Sequence, residues 1–160
     1  MANKKINEFK EIMKNGMIKN FQSSGFLVPI MFFMRGNQAV ISEIPKEFLK
    51  DSEGKTMLSD FIKNICKQPD IIAGGIIMEA YAKVVNKNDE MSKLLLNCSI
   101  RVSELKEKDD IIMMIFSTPE KEEAIAYHVD CKNKTVGEQF APKGSSTGGT
   151  FSNFFDWNKN

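Results

Sequence analysis

Apolar side chains at Ile6, Phe9, Met13, Met17 and Phe21 recur every three or four residues, the spacing of one helix face, and Ser23-Ser24-Gly25 breaks the run. The pattern predicts a helix over 5–22. The period then changes. FLVPIMFFM (26–34) and QAVISEI (38–44) flank Arg35-Gly36-Asn37, where Gly and Asn can supply the positive φ of a tight turn, so a β-hairpin is expected. Phe32, Phe33 and Met34 are apolar in succession, which places the first strand centrally, while Pro29 removes one ladder donor near its start. Pro45 suits the first turn of a short helix, PKEFLK. Asp51 or Ser52 caps a longer one over 52–67, striped by Met57, Leu58, Phe61, Ile62 and Ile65 and ended by Pro69. IIAGGIIMEAYAKVV (71–85) reads as a long central strand in which Gly74-Gly75 lets a helix approach. From Glu79 onward the faces separate: Glu79, Tyr81 and Lys83 lie on one side, and Met78, Ala80, Ala82 and Val84 on the other. Residues 86–110 are polar, with LLLNCSIRV a short helix or edge strand among them. DIIMMIFST (110–118), EAIAYHVDC (123–131) and TVGEQF (135–140) then read as three consecutive antiparallel strands.

The fold class predicted is α+β, a mainly antiparallel sheet of about five strands with two or three helices packed on it. The helix–hairpin–helix–meander order resembles roadblock and profilin-like architectures at the level of element order. One domain is expected over 1–140. The segment 141–160 differs in kind: GSSTGGT (144–150) has the composition of a flexible linker, and Phe151, Phe154, Phe155 and Trp157 follow it. Phe151, Phe154 and Phe155 stand at the i, i+3, i+4 spacing of an anchor helix, so these aromatics form a tethered hook for a protein partner. The competing expectation is that the hook folds back onto its own domain.

Composition narrows the classes. The 160 residues are 42% apolar, enough for an ordinary core, and 22 basic against 21 acidic residues leave a net charge of +1. No overall field draws nucleic acid or an anionic membrane, and Arg35 and Arg101 are the only arginines to grip phosphates bidentately. A nucleic-acid partner is therefore not expected. Cys66, Cys98 and Cys131 are odd in number, widely spaced and without a histidine cluster, which suits a reducing cytoplasm and buried, inert thiols. The start, MANKKINEFKEIM, lacks the apolar run of a secretory signal, and the nine residues of FLVPIMFFM are about half a membrane span.

Four chemistries can be tested by spacing. Pro69-Asp70 followed by Glu104-Leu105-Lys106 has the letters of a metal-dependent nuclease, but Glu104 sits in SELKEKDD, a solvated run. His128, the only histidine, shares a strand face with Asp130, yet two residues along a strand separate them by about 7 Å and no nucleophile accompanies them. GSSTGGT lacks the Gly-Lys-Ser/Thr ending of a phosphate loop. The face of Glu79, Tyr81 and Lys83 could line a ligand groove. No catalytic residue, metal ligand or cofactor is assigned.

The hairpin ending in Ile44-Pro45, the helix carrying SEGK (52–55), the strand bearing Met78-Glu79-Ala80-Tyr81 and the paired strands IIMMIF and EAIAYHV resemble those of small uncharacterised phage-encoded proteins. Those proteins share a Pro-initiated helix, a Glu-Ala-Trp-like strand motif and a terminal hairpin. The likeness covers 27–140, with Tyr81 in place of the Trp, and implies a phage or mobile-element origin with no assigned activity. The favoured function is a non-catalytic, cytoplasmic protein-interaction module, self-associating or not, that uses a sheet edge and the aromatic tail. The alternative is a small-molecule or nucleotide binder, or a weak hydrolase, with Glu79, Tyr81, Lys83, His128 and Asp130 in a sheet-face pocket.

Overall fold

The computed structural model describes residues 2–82, 90, 93–94, 104–141, 151 and 154–155. Helix α1 (Ala2–Ser24) extends beyond both ends of its apolar stripe. It stops where Gly25 takes φ +79° and donates its N–H to Phe21 O at 2.7 Å. That left-handed cap favours glycine, and a methyl group there would also press to 2.9 Å from Cys131 O.

Strands β1 (Ile30–Arg35) and β2 (Gln38–Glu43) form the expected hairpin, with Gly36 at φ +58° in the two-residue loop. The strand starts only after Pro29, so the missing N–H falls outside the ladder and Phe26 to Val28 are a lead-in. A 3₁₀ turn (Lys46–Leu49) precedes α2 (Ser52–Cys66), which is capped by the Asp51 carboxylate accepting from Gly54 N–H at 2.7 Å. β3 (Ile71–Ala82), β4 (Asp109–Ser117), β5 (Glu122–Asp130) and β6 (Thr135–Phe140) complete the described elements. The α+β class with an antiparallel sheet is what the structure has, in six strands where about five were expected. The strand order is β2-β1-β3-β4-β5-β6. Because β2 and β3 both run antiparallel to β1, they are parallel to each other, and α2 is the crossover that such a pair requires.

The two helices cover opposite faces. On one, Phe9, Met17 and Phe21 of α1 pack with Phe32, Met114 and Phe116. The Phe9 and Phe32 rings meet edge-on at 5.7 Å, and Phe32 stacks on Phe116 at 5.8 Å. On the other face, Leu58, Ile62 and Cys66 of α2 pack on Phe33, Ile76 and Ile115. Cover on both sides explains why β1 and β3 are apolar without alternation. Of the glycine pair, Gly74 has the role expected of it, and Gly75 answers to the neighbouring strand instead. A Cβ on Gly74 would stand 3.1 Å from Cys66 Sγ of α2, and one on Gly75 would collide with the Ile115 carbonyl and the Phe32 ring.

The aromatic tail departs from the favoured expectation. Phe151, Phe154 and Phe155 are buried in the α2-side core, Phe154 to 1% exposure. Glu122 Oε2 accepts from Phe154 N–H at 3.4 Å and from Ser117 Oγ–H at 2.6 Å, which pins the segment to the sheet. The physical reason is coverage: one fifteen-residue helix leaves part of this apolar face open, and aromatic rings that bury roughly 150–250 Å² each fill it. These residues are therefore not offered to a partner, and the division expected at residue 140 does not separate them from the domain. Trp157, Lys83 and the GSSTGGT run lie outside the described residues, as does nearly all of LLLNCSIRV.

Candidate functional site

Glu79 and Tyr81 share the α1-side face of β3, beyond the end of the helix. The register sets Tyr81 opposite Asp110 and Glu79 opposite Ile112. Together with Val129 and Cys131 they line a groove of about 220 Å³. Its carboxylates are already engaged within the chain. Glu79 Oε1 accepts from Leu27 N–H at 3.1 Å, which fastens the chain leaving α1, and the Lys108 ammonium stands 4.5 Å over the Tyr81 ring. Cys131 is exposed, not buried as expected, and its Sγ–H donates to Asp110 Oδ2 at 3.8 Å. Partial burial, then the Asp110 and Glu79 carboxylates, push this thiol up, which disfavours the nucleophilic thiolate.

His128 and Asp130 do not join this groove. Ile125, Tyr127 and Val129 pack on the α1 side of β5, so the even-numbered residues face the other way. His128 stands opposite Ile111 and stacks on Phe140 at 4.5 Å. The Asp130 carboxylate accepts from Lys132 N–H at 3.0 Å and from Asn133 N–H at 3.1 Å and Nδ2 at 2.8 Å. Those bonds, Asn133's first, hold its pKa below the ordinary value, and they tie the turn into β6. The pocket expected from Glu79, Tyr81, His128 and Asp130 is thus divided between two faces of one sheet.

The nuclease letters fail for a similar reason. Asp70 forms an ion pair with Arg35 Nε at 3.0 Å, Arg35 Nη2 donates to Gln68 at 2.7 Å, and Glu104 lies off the strands. Among the described residues no group of three or more His, Cys, Asp and Glu side chains could hold a metal ion.

The larger concavity went unread in the sequence. Between α1 and the β2 side of the sheet runs a groove of about 790 Å³, whose lining includes Ile12, Gly16, Phe26, Val28 and Ile41. Ile12 is 66% exposed, Phe26 56% and Ile41 55%. It exists because α1 makes its main contacts with β3, β4 and β6 and leaves β2 uncovered. Two irregularities in the pattern mark it: Ile12 stands off the α1 stripe, and Val40-Ile41 breaks the alternation of its strand.

Beside the groove, all six residues of β2 are exposed. The two-residue loop makes Arg35 and Gln38 a hydrogen-bonded pair, and Ile44 N–H donating to Pro29 O at 2.9 Å keeps the same phase at the far end. By alternation, Ala39, Ile41 and Glu43 turn their N–H and C=O groups outward, and among the described residues the one contact to them is a hydrogen bond from Ser42 Oγ–H to Glu43 O at 3.3 Å.

Among the described residues no helix is long and apolar enough to cross a membrane. No family model, curated protein or solved structure matches the chain.

Proposed function

We propose that the chain is a protein-interaction module whose contact surface is the free β2 edge and the apolar groove beside it, not the C-terminal aromatics. The carrying observation is an edge strand without protection. Proteins blunt such edges with Pro, Lys or a bulge, and β2 has none of these, whereas the opposite edge carries Gly137 and an irregular register around Tyr127 and Val129. An added strand would satisfy the outward groups of Ala39, Ile41 and Glu43, and its side chains would fill the groove. Gly16 supports this reading. It lowers helix stability by about 0.5–1 kcal/mol relative to Ala, yet a Cβ there would meet nothing within 4 Å, so no internal contact demands it. The divided polar residues, and a Glu79 groove smaller than ordinary ligand pockets of roughly 300–1,000 Å³, do not favour the small-molecule alternative. The cytoplasmic location, in a host cell if the chain is phage-encoded, belongs to the same proposal.

The test is a photo-crosslinking residue at position 41 or, as a control, at position 138 on β6, in cells that make the chain. A discrete protein adduct is expected at 41 and not at 138. Equal labelling at both, or none at 41 in a folded chain, would remove the basis for the reading.

A further inference from the structure

Resting on that reading of the edge, we propose that the strand added to β2 is β2 of a second copy, related by a two-fold axis through Ile41 and perpendicular to the sheet. Such an axis preserves faces, so opposed residues must have the same parity. With the axis at Ile41, its outward groups meet those of the second Ile41. Ala39 meets Glu43 and Glu43 meets Ala39, each pair exchanging both backbone hydrogen bonds. Every outward group of the strand is then used. An axis at Val40 leaves those of Glu43 facing the turn, and an axis at Glu43 puts two carboxylates directly opposite each other.

The side chains agree with this register. On the α1 face the two Ile41 side chains touch at the axis, where each groove opens toward the other. On the α2 face Val40, 49% exposed, lies across from Ser42. Charge is complementary as well. Lys5 Nζ rests on Asn37 Oδ1 at 2.7 Å, which holds its ammonium over the turn end of β2. Antiparallel pairing brings that end beside Glu43 of the other copy, on the same face, twice per dimer. A net charge of +1 offers little repulsion between copies.

Sedimentation velocity across a concentration series tests the proposal on the full chain. Wild type should dimerise. Ile41→Lys, which sets like charges opposite each other at the axis, should abolish the dimer, with the circular dichroism spectrum and melting temperature unchanged because Ile41 is exposed. Lys5→Glu and Glu43→Lys should each weaken association by about tenfold or less, and the double exchange Lys5→Glu/Glu43→Lys should recover it. A chain monomeric at every soluble concentration overturns the proposal, as does a dimer indifferent to Ile41→Lys or a double exchange without recovery. A monomer that still yields an adduct with another protein at position 41 overturns the second copy alone and leaves the interaction-module reading standing.

Discussion

Replacing Phe154 with Ala asks whether the aromatic segment is part of the chain's own core. The ring is 1% exposed and lies in one cluster with Ile62, Cys66 and Ile115. Burial of roughly 150–200 Å² at about 25 cal/mol per Å² corresponds to about 4–5 kcal/mol, in line with the about 3–5 kcal/mol typical of Phe→Ala in cores. For a domain of this size each kcal/mol lowers the melting temperature by about 2–4 °C, so a fall of roughly 6–20 °C is expected. The segment is short, and loss of one ring can release the other two. In that case the penalty is capped at the net free energy of docking.

Cys66 separates the two outcomes. Its thiol is pushed up to about 12, by burial first and then by the Glu122 carboxylate, so on the order of a thousandfold less thiolate is present than for a free thiol at the same pH. In a Cys98→Ser/Cys131→Ser background, alkylation of Cys66 at pH 8 should be very slow. Phe154→Ala should accelerate it well before global unfolding. A variant with unchanged melting temperature and unchanged Cys66 labelling would refute the argument that this segment docks in cis.

Three further outcomes follow from particular contacts. Gly75→Ala should be among the most damaging single changes, at about 3 kcal/mol or more, because the Ile115 carbonyl it would strike is backbone and cannot swing aside; urea unfolding measures it. Glu122→Ala should cost about 1–3 kcal/mol, since Ser117 is buried and loses its acceptor, and it should speed Cys66 alkylation, whereas Glu120→Ala should do neither. Burial alone would raise the Glu123 pKa, but hydrogen bonds from Lys121 at 2.7 Å and Lys10 at 3.0 Å outweigh it and hold the folded value below the ordinary 4.5. The stability from that depressed pKa is present above 4.5 and lost as pH falls through the folded value. Thermal melts of Glu123→Gln should therefore show a flatter acid limb than wild type.

Periodicity made most of the architecture legible, because α1, the hairpin and the meander each satisfy one simple rule of spacing. Gly74 even announced the close approach of α2. Strand ends were less readable: Phe26 and Val28 belong to an apolar run but lie before the ladder begins at Ile30, since nothing in the run itself marks where pairing starts. The site failed on a different point. Alternation says that His128 and Asp130 share a face and that Glu79 and Tyr81 share a face, but the relative parity of two strands depends on their register, which is a tertiary quantity. The tail failed through competition, because the spacing of Phe151, Phe154 and Phe155 suits an anchor on any apolar surface, and the nearest was the chain's own.

The α2-side core draws on residues from Phe33 to Phe155, whereas the last residue packed against the α1-side core is Val136. During synthesis the two sides of one sheet are therefore finished at different times. At about 5–20 residues per second the interval between residues 136 and 155 lasts on the order of seconds, long compared with the microseconds of hairpin closure. Through that interval a nascent chain carries a nearly complete sheet with one greasy side only partly covered, by α2 alone, the condition in which it is most open to chaperones, to proteases and to adhesion between neighbours on the same message.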